Sequence, residues 1–344
     1  MNDHKMENRK IISNEKILQV NNLQVSFRTY GGEVEAVRGV NFDLYKGETL
    51  AIVGESGCGK SVTSNAIMGL IPQPAGIIKN GSILFKGKDL TKLSKAQLRK
   101  IQGVDISMIF QDPMTALNPT LSIGEQLTEG LLTHQKIGKQ EAKKKAIDML
   151  NLVGIPNPEE RLKQFPHQFS GGMRQRIVIA IALICEPKLL IADEPTTALD
   201  VTIQAQILEL FEEIQRKTEI SIILITHDLG VVAKIADRIA VMYAGKIVEI
   251  GDKREIFYNP EHPYTKGLLN SVPRLDLMEE ELRPIEGTPP DLFSPPKGCP
   301  FTARCDYAME VCDHVYPITT QLTEAHMVDC WLQDSRAKVL QVQK

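Results

Sequence analysis

The chain is 344 residues long and carries 40 Lys and Arg against 43 Asp and Glu, a formal net charge of −3. That balance calls for no nucleic-acid or anionic-membrane partner, and the length leaves room for two domains of ordinary size around a real core. No apolar run approaches the roughly 18 residues that cross a bilayer, and residues 1–16 are too polar for a signal peptide, so the chain is expected to stay in the cytoplasm. In that reducing setting the six cysteines point to metal binding or inert burial, not to a disulfide framework.

After the polar start, Ile17 to Leu44 reads as short alternating strands broken at Gly31-Gly32, and Thr49 to Val53 as a buried strand. That strand feeds Gly54-Glu55-Ser56-Gly57-Cys58-Gly59-Lys60-Ser61, a G-x(4)-G-K-S loop. Its glycines let backbone N–H groups curl around phosphates, Lys60 neutralises their charge, and the Ser61 hydroxyl reaches Mg2+. A purely structural glycine turn is the competing reading, and the strand before and helix after it favour the phosphate. The spacing predicts a helix from Lys60 to Leu70, ended by Pro72. The apolar strand Ile106 to Phe110 leads to Gln111, whose amide oxygen can approach a metal ion or a water, although a glutamine at a strand end is on its own more often a surface residue.

From Asp112 to Phe169 the pattern is helical: Ser122-Ile123-Gly124-Glu125 is a capping box and Lys139 to Val153 a charged amphipathic helix, which together suggest an inserted helical lobe over about 112–170. Phe169-Ser170-Gly171-Gly172-Met173-Arg174-Gln175-Arg176 then opens an apolar helix running to about Cys185. A hydroxyl, close backbone and a helix N-terminus suit a second set of phosphate contacts. One chain wraps its own nucleotide once, so the second set is assigned to a partner.

The strand Leu189 to Ala192 ends on two carboxylates, Asp193 placed to hold Mg2+ through its water shell and Glu194 to polarise the attacking water. Ala198-Leu199-Asp200 precedes another helix; Asp200 reads as its N-cap, compatible with a further role across a dimer interface. The strand Ser221 to Ile225 leads to His227, a candidate γ-phosphate contact, though a lone histidine there is more often structural. Helices and buried strands alternate as in a parallel sheet covered on both faces. From about Glu255 the sequence turns Pro-rich and irregular, a separate C-terminal appendage containing four cysteines.

The order of these residues resembles the ATP-binding-cassette (ABC) ATPase family over residues 17–250. The resemblance implies an α/β P-loop NTPase domain over 17–254, with an antiparallel β subdomain and the inserted helical subdomain, and an irregular cysteine-containing appendage over 255–344. It makes Gly54 to Ser61 the Walker A loop, Gln111 the Q-loop residue that joins Ser61 and Asp193 at Mg2+, and Phe169 to Arg174 the signature. Asp193 and Glu194 become Walker B, Ala198 to Asp200 the D-loop, and His227 the switch histidine. It further implies that two such chains stack head to tail, each ATP lying between one chain's Walker A loop and Ser170, Gly171 and Gly172 of the other. An aromatic residue stacks on adenine in this family; by spacing Phe27 is favoured, Tyr30 second, with core burial the alternative for either. The signature departs from the commonest form in having Met173 where a glutamine is usual.

His262-Pro263-Tyr264-Thr265-Lys266, Leu268-Leu269, Val272-Pro273 and Gly298-Cys299-Pro300-Phe301, with Met108 to Pro119 around Gln111, are similar to the ATPases of oligopeptide and dipeptide importers. The likeness implies an ATPase that powers peptide import from the cytoplasmic side of the cell membrane. Its implied partners are a sister ATPase, two permeases and an extracytoplasmic peptide-binding protein; related nickel importers are the alternative. A soluble clamping ATPase of DNA repair would carry a long coiled coil between Walker A and the signature, and that interval is too short here. The spacing C-x(5)-C-x(6)-C-x(17)-C of Cys299, Cys305, Cys312 and Cys330 offers four thiolates, the right number for a 4Fe-4S cluster or an all-cysteine zinc site. No C-x(2 to 4)-C knuckle supports zinc, Pro300 follows Cys299 as in ferredoxin-type loops, and the resemblance itself implies the cluster; free thiols remain the third reading, and His314 and His326 are spare ligands. Such a cluster would act as a structural staple or as a redox sensor. Cys58 reads as a variable loop position and Cys185 as a buried helix residue.

Overall fold

The computed structural model describes residues 13–197, 200–271 and 285–337; Ala198 and Leu199 of the D-loop and the Val272-Pro273 pair fall outside them. Strands β1 (Lys16–Thr29) and β2 (Gly32–Tyr45) form one long antiparallel hairpin in place of the short strands predicted. Register shifts such as that between Val20 and Leu23 absorb the breaks in alternation, so the pairing continues through them. β3 (Thr49–Val53) is buried at every residue. Helix α1 (Lys60–Ile67) stops short of the predicted Leu70, because Gly69 takes a left-handed φ of +67° and ends it before Pro72.

β4 (Gly76–Phe85) and β5 (Lys88–Asp89) complete a four-stranded antiparallel sheet of order β2-β1-β4-β5. After α2 (Lys95–Arg99) and β6 (Ile106–Ile109) comes the helical lobe, α3 (Pro113–Ala116), α4 (Ile123–His134), α5 (Lys139–Leu152) and α6 (Pro158–Arg161). Both halves of the predicted capping box form at α4: Ser122 Oγ accepts the Glu125 N–H at 3.3 Å and the Glu125 carboxylate accepts the Ser122 N–H at 2.8 Å.

The α/β alternation then returns with α7 (Gly171–Leu183), β7 (Leu189–Asp193), α8 (Val201–Thr218), β8 (Ser221–Ile225), α9 (Leu229–Ile235), β9 (Arg238–Tyr243) and β10 (Lys246–Asp252). Asp200 caps α8, its carboxylate accepting the Ile203 N–H at 3.0 Å. Strands β9, β3, β8, β7 and β6 run parallel in that order. Alternate residues of β7 and β8 feed opposite cores: Leu190, Ala192, Ile222 and Leu224 meet α7, α8 and the lobe. Leu189, Ile191, Ile223 and Ile225 meet α1 and the antiparallel sheet. A sheet covered on both faces needs strands apolar at both parities, and these supply them.

The C-terminal region is not structurally separate. It runs through α10 (Lys253–Tyr258), α11 (Pro263–Asn270), α12 (Glu310–His314), β11 (Thr320–Gln321) and β12 (Met327–Val328), and β12 pairs antiparallel with β10 at the edge of the large sheet. Phe301 and Tyr264 are buried against Tyr243 of β9, the three rings 4.5 to 5.4 Å apart between centroids. The buried Glu249 carboxylate accepts the N–H groups of Glu261 (2.8 Å) and His262 (3.1 Å) and pairs with His326 Nε2 at 2.8 Å. His326, a spare metal ligand by sequence, is thus committed to holding β12 in place. Among the described residues no helix is long and apolar enough to cross a membrane.

Because the tail shares sheet and core with the rest, Phe301→Ala should cost about 3 kcal/mol, the usual loss for a buried aromatic. Urea unfolding read by fluorescence of Trp331 in the tail and by far-UV circular dichroism of the whole chain should give one coincident transition. Two separated midpoints would show that the tail unfolds by itself.

Candidate nucleotide site

The loop 54–61 leaves β3 and enters α1 through backbone that only glycine tolerates. Gly59 has φ +102° and a Cβ there would strike the Ala36 carbonyl, while at Gly54, φ +150°, it would strike the Met242 carbonyl. The buried Lys60 ammonium is held by the carbonyl oxygens of Gly54 at 2.7 Å and Glu55 at 3.0 Å, at the mouth of the loop. Ser61 Oγ lies 3.1 Å from Asp193 Oδ1 across the gap between α1 and the end of β7. This hydroxyl and carboxylate are hard oxygen donors of the kind Mg2+ takes. Burial holds the Asp193 carboxyl above its ordinary range; the Ser61 hydrogen bond opposes that and the charge of Glu194 adds to it.

Glu194 follows directly and is gripped from three sides. Its Oε2 accepts from Gln111 Nε2 and from Thr197 Oγ1, each at 3.0 Å, and its Oε1 lies 3.3 Å from His227 Nδ1. The backbone of Glu194 is left-handed at φ +48°, pinned by its N–H donating to Ile225 O at 2.8 Å. A non-glycine residue there stores about 1–2 kcal/mol, tolerated where geometry is over-determined by its neighbours. The predicted residues Lys60, Ser61, Gln111, Asp193, Glu194 and His227 therefore meet at the carboxyl ends of neighbouring strands. Thr197 was missed; its signal is a hydroxyl three residues beyond Glu194 in Glu194-Pro195-Thr196-Thr197.

Ser170 caps α7, its Oγ accepting the Met173 N–H at 3.4 Å, and stands exposed. Nothing lies within 4 Å of where a Gly171 Cβ would be, whereas at Gly172 it would press on Ile203 of α8. Of the two aromatic candidates, Tyr30 is fully exposed at the hairpin tip, while Phe27 is partly buried against the core on the α1 side.

A second cluster lies in the tail. Cys299, Cys305, Cys312 and Cys330 line one small cavity together with His262, Phe301 and Trp331. Burial, with the neighbouring thiols adding, pushes Cys299 up to about 11 and Cys330 up to about 12. His262, held neutral by burial near 4, accepts the Tyr264 N–H on Nδ1 at 3.0 Å, and its buried Nε2 meets no hydrogen-bond partner. Among the described residues no group of three or more His, Cys, Asp or Glu is placed to hold a metal ion.

The ABC transporter family profile matches residues 37–197, and the profile of the oligopeptide/dipeptide transporter C-terminal region matches residues 248–312. The chain is 71% identical over 324 residues to the dipeptide transport ATP-binding protein DppD of Bacillus subtilis (strain 168), spanning 94% of this chain and 97% of that one. It is 63% identical to the oligopeptide transport ATP-binding protein OppD of the same organism, over 92% of this chain and 89% of that one. Among solved structures, a dimeric ATP-binding cassette in a post-hydrolysis state bound to ADP and Pi is 26% identical, with a TM-score of 0.62 over 69% of this chain and 99% of that one.

The grip on Glu194 yields a test. Thr197→Val should lower kcat for ATP hydrolysis about five- to tenfold, the worth of one hydrogen bond, and leave ATP affinity unchanged. An equal loss of affinity would place Thr197 on the nucleotide instead.

Proposed function

The chain belongs to the ATP-binding proteins of dipeptide and oligopeptide ABC transporters, and on that premise we propose how its residues share the work of ATP-powered peptide import. The observation that carries the reading is the convergence of Gln111, Thr197 and His227 on Glu194, beside the Ser61–Asp193 pair. The backbone of Gly54 to Ser61 receives the phosphates and Lys60 exchanges its two carbonyl contacts for phosphate oxygens. Ser61 and Asp193 would hold Mg2+, with Gln111 at its edge; bound there, the ion neutralises charge on the β- and γ-phosphates. Glu194 orients and polarises the attacking water, and His227 contacts the γ-phosphate while fixing the other carboxylate oxygen.

The exposure of Ser170 and Gly171 supports a composite site in which they serve a nucleotide on a second ATPase subunit, the sister chain, while Phe27 stacks on adenine. Asp200, already the cap of α8, borders that interface. Two permeases and an extracytoplasmic peptide-binding protein would complete the transporter, with this chain peripheral to the cell membrane on its cytoplasmic side. The domain division at about residue 254 is retained as a functional one: cassette before, tail after.

For the tail we propose a 4Fe-4S cluster on Cys299, Cys305, Cys312 and Cys330. Four thiols lining one cavity match the number of cysteines that ligate such a cluster. His262, which lines the same cavity and whose Nε2 meets no hydrogen-bond partner, would supply a donor to that group. When bound, the group would tie the tail's segments together.

Glu194→Gln should keep ATP binding and lower hydrolysis at least a hundredfold, as loss of a general base does; hydrolysis at the parental rate would refute the role. Anaerobically purified protein should contain about four irons per chain and absorb in the visible. Zinc without iron would sink the cluster.

A further inference from the structure

The phosphate loop is held from its outer side by the tail, through one residue. Glu55, second in the loop, has every polar group engaged. Its carboxylate takes the fork of Arg304, Oε2 to Nη1 at 2.7 Å and Oε1 to Nη2 at 3.0 Å. Its N–H donates to the Tyr264 hydroxyl at 2.9 Å. Its carbonyl holds the Lys60 ammonium at 3.0 Å. A shift of Glu55 therefore moves the loop and, before a nucleotide binds, the Lys60 ammonium that its carbonyl holds.

Arg304 is built to hold that position. Its side chain is 4% exposed, and its remaining donors reach the Glu286 carbonyl (2.8 Å), the Ile285 carbonyl (3.1 Å) and the Tyr243 hydroxyl (3.2 Å). All five N–H groups of the guanidinium thus have acceptors, leaving it one geometry. The residue sits between Cys299 and Cys312, in a segment fixed by Cys299 N–H to the Cys312 carbonyl at 2.7 Å and by Thr302 Oγ1 to the carbonyls of Cys299 (2.9 Å) and Cys312 (3.1 Å).

We propose that Arg304 and Tyr264 are positioning residues for ATP binding, which fix Glu55 and through it the phosphate loop and Lys60. A loop rich in glycine is costly to order, and ordering it before the nucleotide arrives lowers the cost of binding. The tail is then part of the ATP site, and whatever loosens the cysteine segment weakens ATP binding. This rests on the ATPase reading: a parental chain that binds no Mg-ATP would sink both, whereas a parental chain that binds it, with affinity unchanged in Arg304→Lys and Tyr264→Phe, would sink this link alone.

The test is a titration of the full chain with a fluorescent ATP analogue and Mg2+, alongside steady-state hydrolysis. Arg304→Ala should weaken binding about tenfold and leave kcat at saturating ATP within about twofold, a coupling in the range for contacting residues. Arg304→Lys should recover part of the affinity. Tyr264→Phe, which removes only the hydroxyl and keeps the buried ring, should weaken binding about threefold. The Arg304→Ala/Glu55→Ala double variant should bind no worse than the weaker of the two single variants. A link that merely staples the tail would lower Tm in Arg304→Ala with unchanged affinity. Unchanged affinity in both Arg304→Lys and Tyr264→Phe, or additive effects in the double variant, would overturn the proposal.

Discussion

Parallel pairing of β3, β8, β7 and β6 is the constraint on which the rest depends. It brings the carboxyl ends of four strands side by side, and each strand releases a part of the candidate site just beyond its end: the loop 54–61, His227, Glu194 and Gln111. Ligands of open α/β sheets gather at such ends because the loops there are free to diverge while the strands hold them in register. The backbone bond from Glu194 N–H to Ile225 O extends that register one step past β7 and turns the carboxylate toward its three partners.

Strain and charge are concentrated at the same place. Glu194 sits in left-handed backbone, and Asp193, buried beside it, is pushed toward protonation by burial and by its neighbour's charge. Two adjacent carboxylates in a partly dry setting are costly without positive charge. A divalent cation and the Lys60 ammonium relieve that cost, so this part of the chain is poised for a nucleotide carrying Mg2+.

The tail earns its stability by joining structures that already exist. Its strand β12 lengthens the large sheet, Phe301 and Tyr264 enter a core begun by Tyr243, and Glu249 is satisfied only when the segments bearing Glu261, His262 and His326 are all in place. The polar contacts at Glu55 continue the same packing into the phosphate loop.

The candidate site was legible in the sequence because phosphate binding and water activation need particular residue types at fixed local spacing. Gly54 to Ser61, Asp193-Glu194 and Ser170 at the start of α7 lie within single strand-to-helix or loop-to-helix turns, and local geometry suffices to place them. The apolar runs of β3, β7 and β8 likewise declared a sheet buried on both faces. What the sequence could not show were contacts between distant positions: Thr197 turning back to Glu194, His326 closing on Glu249 across 77 residues, and Arg304 reaching Glu55 across 249. Such pairs carry no periodicity and no fixed spacing, since their meeting is set by how sheet, helices and tail pack. The amino-acid order alone therefore determined which groups are candidates to handle the phosphates; the tertiary structure decided that the irregular tail closes on the loop 54–61, through Arg304 and Tyr264 on Glu55.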